Sequence, residues 1–222
     1  MSVTANLTEL ETPALLLDRR QLQTNLDLMK DRARDLGVIL RPHAKTAKSI
    51  PVLERAVDAS RRITVSTLKE AEAAFAAGFS DILYAVGIAP NKLRRVLELR
   101  RAGCDLCVVL DNVEAATAVS RAAREANLTL AVMIEIDTDG HRAGIKPEAD
   151  DLLTVAAALE DPAILKGVMT HAGESYGCDT PEALEAIAEL ERSGAVRAAE
   201  RLRAAGHPCP EVSVGSTPTA LS

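Results

Sequence analysis

Aromatic side chains are scarce in this sequence. Tyr and Phe occur twice each and Trp not at all, 2% of 222 residues. A platform that stacks unpaired bases needs such rings, so single-stranded nucleic acid is a poor match. Positive charge is also short. There are 26 Lys and Arg against 32 Asp and Glu, a net charge of -6, which argues against a nucleic-acid or anionic-membrane partner. The 4 cysteines are too few for a disulfide scaffold, and a reducing cytoplasm is the expected setting. No apolar run approaches the roughly 20 residues of a membrane span. Met1 to Glu11 lacks the basic-then-apolar order of a secretory signal.

What is present is the composition of a globular protein, 47% hydrophobic and 26% charged. Short apolar runs alternate with amphipathic stretches. Ala14–Leu17 reads as a strand, and Asp18 as the N-cap of a helix, with Gln21 at the capping-box position and Gly37 as its stop. Further strands are expected at Val38–Leu40, Ile63–Ser66, Ile82–Val86, Leu106–Leu110, Leu130–Ile136, Ile164–Met169 and Val212–Val214. Thr67 with Glu70 and Asp111 with Glu114 read as capping boxes. Pro90 and Pro147 read as helix openers, and Pro181–Ala205 as a long helix with a break near Gly194. Buried strands each followed by a helix predict an α/β fold with a parallel sheet. The number of units favours a (β/α)8 TIM-type barrel. An open doubly wound sheet is the alternative, and it lacks a Gly-x-Gly-x-x-Gly after the first strand. The chain stops soon after the strand at Val212, so the last βα unit is expected to be missing.

A barrel places its chemistry at the carboxyl ends of its strands. Those ends carry Arg41-Pro42-His43-Ala44-Lys45-Thr46, then Asp137-Thr138-Asp139-Gly140-His141-Arg142, then His171-Ala172-Gly173-Glu174-Ser175-Tyr176, then Gly215-Ser216-Thr217-Pro218-Thr219. A lysine amine can form a Schiff base with an aldehyde. A Gly-Ser-Thr turn offers amides and hydroxyls to a phosphate. An imidazole and a phenol can flank a flat ring, and an arginine can bond a phenolate or carboxylate. The set fits pyridoxal 5'-phosphate. Each member has an ordinary reading as a surface charge, core imidazole or turn; the conjunction on separate strand ends carries the argument. Cys104-x-x-Cys107 lacks the second pair a zinc site needs. Of the acidic group Glu135, Asp137 and Asp139, alternation puts Glu135 and Asp137 on one face with no obvious third ligand, so hydrogen-bonding roles are expected and no metal site is assigned.

Thr12-Pro13-Ala14-Leu15-Leu16-Leu17-Asp18, the Arg41–Thr46 segment and the three later strand-end motifs, in this order, resemble the D-threonine aldolases and eukaryotic-type D-serine dehydratases. These are fold-type III pyridoxal-phosphate enzymes with an alanine racemase-like N-terminal barrel, and the resemblance covers essentially the whole chain. It implies that Lys45 carries the cofactor as a Schiff base and that Arg142 lies near its phenolic oxygen. His171 would pack on the pyridine ring, Tyr176 would line the pocket, and Gly215, Ser216 and Thr217 would hold the phosphate. It further implies residues 1–37 as an N-terminal strand and helix leading into an incomplete barrel of residues 38–222. A C-terminal β domain would be absent, and with it the ligands of the divalent metal expected for the family. A full-length version would be a homodimer. Ala47 stands where the family often has a histidine. The implied activity is a lyase acting on a small D-amino acid. The alternatives are a pyridoxal-phosphate-binding protein without turnover or an inactive fragment, and a racemase fits the later motifs less well. The 222 residues alone are expected to be nearly inactive.

Overall fold

The structure, a computed structural model, describes residues 6–222. Two compact units divide between Val38 and Ile39. The first holds α1 (Arg19–Asp35). The Asp18 carboxylate caps it by accepting from the amides of Arg20 and Gln21, at 2.8 and 3.0 Å. The Gln21 side chain does not return to the cap; it donates to Asn25. The helix stops in a left-handed Gly37 at φ +65°, with the Val38 amide reaching back to the Ala33 carbonyl. Ala14–Leu17 is not a strand. No ladder partner lies beside it among the described residues, and Leu15 is 99% exposed.

The second unit is built on six parallel strands: β1 (Ile63–Val65), β2 (Asp81–Gly87), β3 (Asp105–Leu110), β4 (Leu130–Ile136), β5 (Ala163–Thr170) and β6 (Glu211–Ser213). They pair strictly in sequence order. A doubly wound sheet would reverse direction at a switch point; here there is none, and the winding is that of a β/α barrel. The main connecting helices are α3 (Leu68–Ala76), α4 (Leu93–Arg101), α5 (Val113–Ala126), α6 (Asp151–Ala157) and α7 (Pro181–Ala204), with α2 (Ile50–Ala56) ahead of β1 and α8 (Thr217–Ala220) after β6.

Strand alternation divides the core in two. Leu106, Val108, Leu110, Val132, Ile134 and Ile136 pack with helix residues such as Val119, Leu152 and Leu202. The opposite face carries a smaller cluster: Leu83, Cys107, Val109, Ala131, Met133 and Met169. Cys104 lies in the first cluster and Cys107 in the second. Burial pushes the Cys107 thiol up to about 12 and that of Cys104 to about 11, so neither is poised as a ligand or nucleophile.

Several local expectations are corrected. Val38–Leu40 forms no strand. Pairing there shrinks to one bridge, His43 with Thr64, because Pro42 has no amide to extend the ladder. The Arg41 guanidinium ties this segment to the sheet instead, donating to the Ile63 carbonyl and, at 2.7 Å, to the Asp81 carboxylate. The Thr67–Glu70 capping box forms, but Asn112 rather than Asp111 caps α5. Pro147 precedes α6 by a turn and does not open it. Helix α7 runs through Gly194 without a break. A Cβ there would stand 2.7 Å from the Thr138 methyl, so this glycine admits the loop after β4.

Gly167 lies opposite Glu211 in the β5–β6 register, and a Cβ there would collide with the Glu211 backbone. Gly167→Ala should therefore cost about 1–3 kcal/mol in urea unfolding; a loss within experimental error would mean that β6 shifts freely.

Candidate active site

The strand ends are organised by a carboxylate that sequence reasoning did not single out. Glu191, in the middle of α7, is 2% exposed. Its Oε1 accepts from the amides of Ala172 at 2.8 Å and Gly215 at 3.1 Å, and its Oε2 accepts from the Thr219 hydroxyl at 2.8 Å. One side chain thus joins the loop after β5, the loop after β6 and α8. Nothing local distinguishes Glu191 from Glu185 and Glu189, its neighbours in the same helix; only the approach of two loops does.

Gly215 is held from both sides. Its amide goes to Glu191, and its carbonyl meets His171 Nδ1 at 3.0 Å. A carbonyl can only accept, so Nδ1 carries a proton. Gly215 sits at φ +136°, a conformation other residues reach only with strain. The Tyr176 ring is tilted 39° to the His171 ring at a centroid distance of 5.9 Å, and Tyr176 is otherwise exposed.

Ser216 is buried and its hydroxyl is fully engaged. It accepts from the Thr219 amide in a capping box and lies 2.7 Å from the Ser175 hydroxyl. Ser175 in turn donates to the Ala172 carbonyl. The Ser216 amide donates to Thr219 Oγ1 at 3.0 Å. Gly215 and Ser216 therefore shape the loop, while Thr217 is its exposed member. The Ser-x-x-Thr spacing was a readable signal for this capping box.

On the far side of the sheet, His43 governs the turn that carries Lys45. Its Nδ1 accepts from the Lys45 amide at 3.2 Å, and its Nε2 lies 3.2 Å from the Ser66 hydroxyl. Accepting at Nδ1 leaves the proton on Nε2, which donates to Ser66. Burial lowers the His43 pKa to about 4, helped by the positive charge of Lys45 and by His171, and opposed by Glu70. The ring is neutral near pH 7. The charge of His171 bears on His43, so the turn and the end of β5 lie within electrostatic reach of one another. Lys45 is exposed, and among the described residues its amine has no ion-pair partner; Lys48, three residues on, pairs with Glu70 at 3.7 Å.

Arg142 belongs to a loop clamped to the end of β5. The Asp139 carboxylate accepts from the amides of His141 and Glu174. His141 Nε2 meets Glu174 Oε1 at 3.0 Å. The Arg142 stem lies where a Cβ on Gly173 would be, 2.6 Å from its Cδ, so Gly173 admits the arginine. Beneath it Glu135 is half-buried, and its pKa is raised by burial and by Asp111, with Arg142 opposing. No three His, Cys, Asp or Glu side chains converge as a metal site among the described residues. Among the same residues no helix is long and apolar enough to cross a membrane.

A β/α-wound domain with its polar groups gathered at the strand carboxyl ends is the class these features define. The chain belongs to the alanine racemase N-terminal domain family, whose model matches residues 17–222. It is 56% identical over 222 residues to the D-threo-3-hydroxyaspartate dehydratase of Delftia sp. (strain HT23), covering 97% of this chain and 58% of that protein. It is 34% identical to the D-serine dehydratase of Dictyostelium discoideum, covering 96% and 58%. The solved Delftia structure superposes with a TM-score of 0.91 at 54% identity, over 96% of this chain and 57% of that one. The D-threonine aldolase from Filomicrobium marinum superposes at 0.83 and 26% identity, over 94% and 57%. The chain thus spans less than two thirds of each of these relatives.

Two titrations test the electrostatics. An unfolded histidine titrates near 6.5 and His43 at about 4, so the unfolded chain binds the proton first on acidification. Stability should fall between those values, and His43→Gln should flatten that stretch of the urea-unfolding profile; an NMR midpoint for His43 near 6.5 would refute its burial as a neutral ring. His141 is the opposite case. The Asp139 carbonyl and the Glu174 carboxylate raise its pKa, so its charged, paired form persists to higher pH. Glu174→Gln should bring the His141 NMR midpoint down.

Proposed function

We propose that the chain is the cofactor-binding barrel of a pyridoxal-phosphate-dependent lyase that acts on a D-amino acid carrying a hydroxyl on Cβ. The observation that carries this reading is the juxtaposition at the strand ends. The unpaired Lys45 amine stands in a turn fixed by neutral His43, within electrostatic reach of His171, whose Nδ1 is held by the Gly215 loop. The residues fit the cofactor. Lys45 would bind its aldehyde, and the flat His171 ring beside Tyr176 would lie against the pyridine. Arg142 would approach the phenolic oxygen.

The phosphate assignment is narrower than the sequence suggested. With the Ser216 hydroxyl and the Gly215 and Ser216 amides engaged inside the protein, Thr217 is the member of the loop left to meet a phosphate. Gly215 and Ser216 would hold it in place.

The substrate class follows from what the relatives' names share. D-Serine, D-threonine and D-3-hydroxyaspartate all carry a β-hydroxyl. Bound pyridoxal phosphate supplies an electron sink for charge developing at Cα. Elimination would remove the Cα proton and the β-hydroxyl as water, ending in a 2-oxo acid and ammonia. Cleavage of Cα–Cβ would give glycine and an aldehyde. The 56% identical dehydratase favours elimination, with D-threo-3-hydroxyaspartate as the first compound to assay. A divalent metal and a second subunit, both implied by the family resemblance, belong to this proposal for the whole protein.

Borohydride reduction in the presence of pyridoxal phosphate should label the peptide containing Lys45, and Lys45→Ala should abolish the label. Adduct on Lys48 or Lys69 would overturn the assignment. Thr217→Val should weaken cofactor binding by roughly tenfold, the loss of one hydrogen bond to a charged group. Unchanged affinity would remove Thr217 from the phosphate site. A trapped adduct without product from any β-hydroxy-D-amino acid would favour binding without turnover.

A further inference from the structure

Glu191 lies on the helix layer, outside the strand-end cluster, yet it sets the position of that cluster. It bonds the Ala172 amide, one residue after His171, and the Gly215 amide, on the residue whose carbonyl fixes His171 Nδ1. Its other oxygen holds Thr219, which in turn accepts from the Ser216 amide. These bonds hold the residue after His171 and both ends of the Gly215–Thr219 loop. We propose that Glu191 is a positioning residue that sets the His171 tautomer and the shape of the Gly215–Thr219 loop, and through them the grip on the cofactor phosphate. The second half rests on the pyridoxal-phosphate reading; the first does not.

The chemistry suits a carboxylate. Three donors converge on it, two amides and a hydroxyl, and each would be left without a partner by truncation. Glutamine keeps the reach: its carbonyl oxygen can take both amides while its NH2 donates to Thr219, whose hydroxyl then turns toward Ser216. Aspartate keeps the charge but is one methylene shorter, so it cannot span Ala172, Gly215 and Thr219 together.

Two measurements on the whole protein test this. The first is independent of cofactor: the ring 15N NMR signals of His171, which report Nδ1–H in the wild type. The second is pyridoxal-phosphate affinity by absorbance titration. Glu191→Ala should lose the fixed Nδ1–H signature and bind cofactor at least about tenfold more weakly. Glu191→Gln should keep the signature and stay within about threefold. Leu202→Ala, a fully buried change in the same helix, should lower Tm while leaving both readings unchanged. Should Glu191→Ala not fold, Glu191→Asp takes its place with the same expected losses. Wild-type His171 signals and affinity in Glu191→Ala or Glu191→Asp would overturn the proposal, as would equal losses in Leu202→Ala. If the wild type takes up no cofactor while His171 still depends on Glu191, the functional reading fails and the positioning role toward His171 stands.

Discussion

A buried carboxylate in a surface helix is the constraint on which the strand-end geometry depends. Parallel strands deliver their loops to one end of the sheet, but pairing ends at Thr170 and Ser213. Beyond those points the backbone needs other partners, since an unpaired buried amide costs free energy. Glu191 supplies them for the loops after β5 and β6 at once, and the serine and threonine hydroxyls of residues 175, 216 and 219 complete the network. The network has direction: each hydroxyl has a defined donor and acceptor, so each loop is held in one arrangement. A polar cluster this closely satisfied specifies a unique geometry more than it adds stability.

The opposite side of the site is governed by charge. His43 is neutral because burial and the nearby Lys45 both disfavour a second positive group. Neutrality gives the ring an acceptor, which it uses on the Lys45 amide, and a donor, which it gives to Ser66. A protonated ring would have two donors and would lose the contact to Lys45. The same principle works in reverse at His141, where the Asp139 carbonyl and the Glu174 carboxylate favour the proton. That pair closes the Arg142 loop onto the end of β5, and the absence of a side chain at Gly173 lets the arginine stem lie close. The two histidines are thus shifted in opposite directions, each by what surrounds it.

The sheet was legible because its signals are periodic. β2 to β5 lie within a residue or two of the runs read from sequence, since a strand buried on both faces needs contiguous apolar residues. The exceptions have local causes. Val38–Leu40 looked like a strand by composition, but Pro42 ends its hydrogen bonding. Ala14–Leu17 is equally apolar and has no partner strand among the described residues. Asp111 and Asn112 are both able to cap α5, and composition cannot choose between adjacent residues when the turn geometry decides. Gly194 looked like a helix break because glycine weakens helices, yet its role is to let Thr138 approach.

Sequence by itself determined the parallel β/α winding and the set of polar residues at the strand ends, because alternation and strand-end position are properties of neighbours along the chain. Lys45, Arg142, His171, Tyr176 and the Gly215–Thr217 turn could all be named from it. Tertiary structure alone decided what each of them does with its hydrogen bonds. That the Ser216 hydroxyl turns inward, that His171 carries a proton on Nδ1, and that Glu191 rather than Glu185 or Glu189 is buried depend on contacts between residues 19 to 44 positions apart, and His43 is neutral because the fold buries it. Such contacts leave no periodic trace, since a single glutamate in a helix looks the same in sequence whether it faces water or two converging loops.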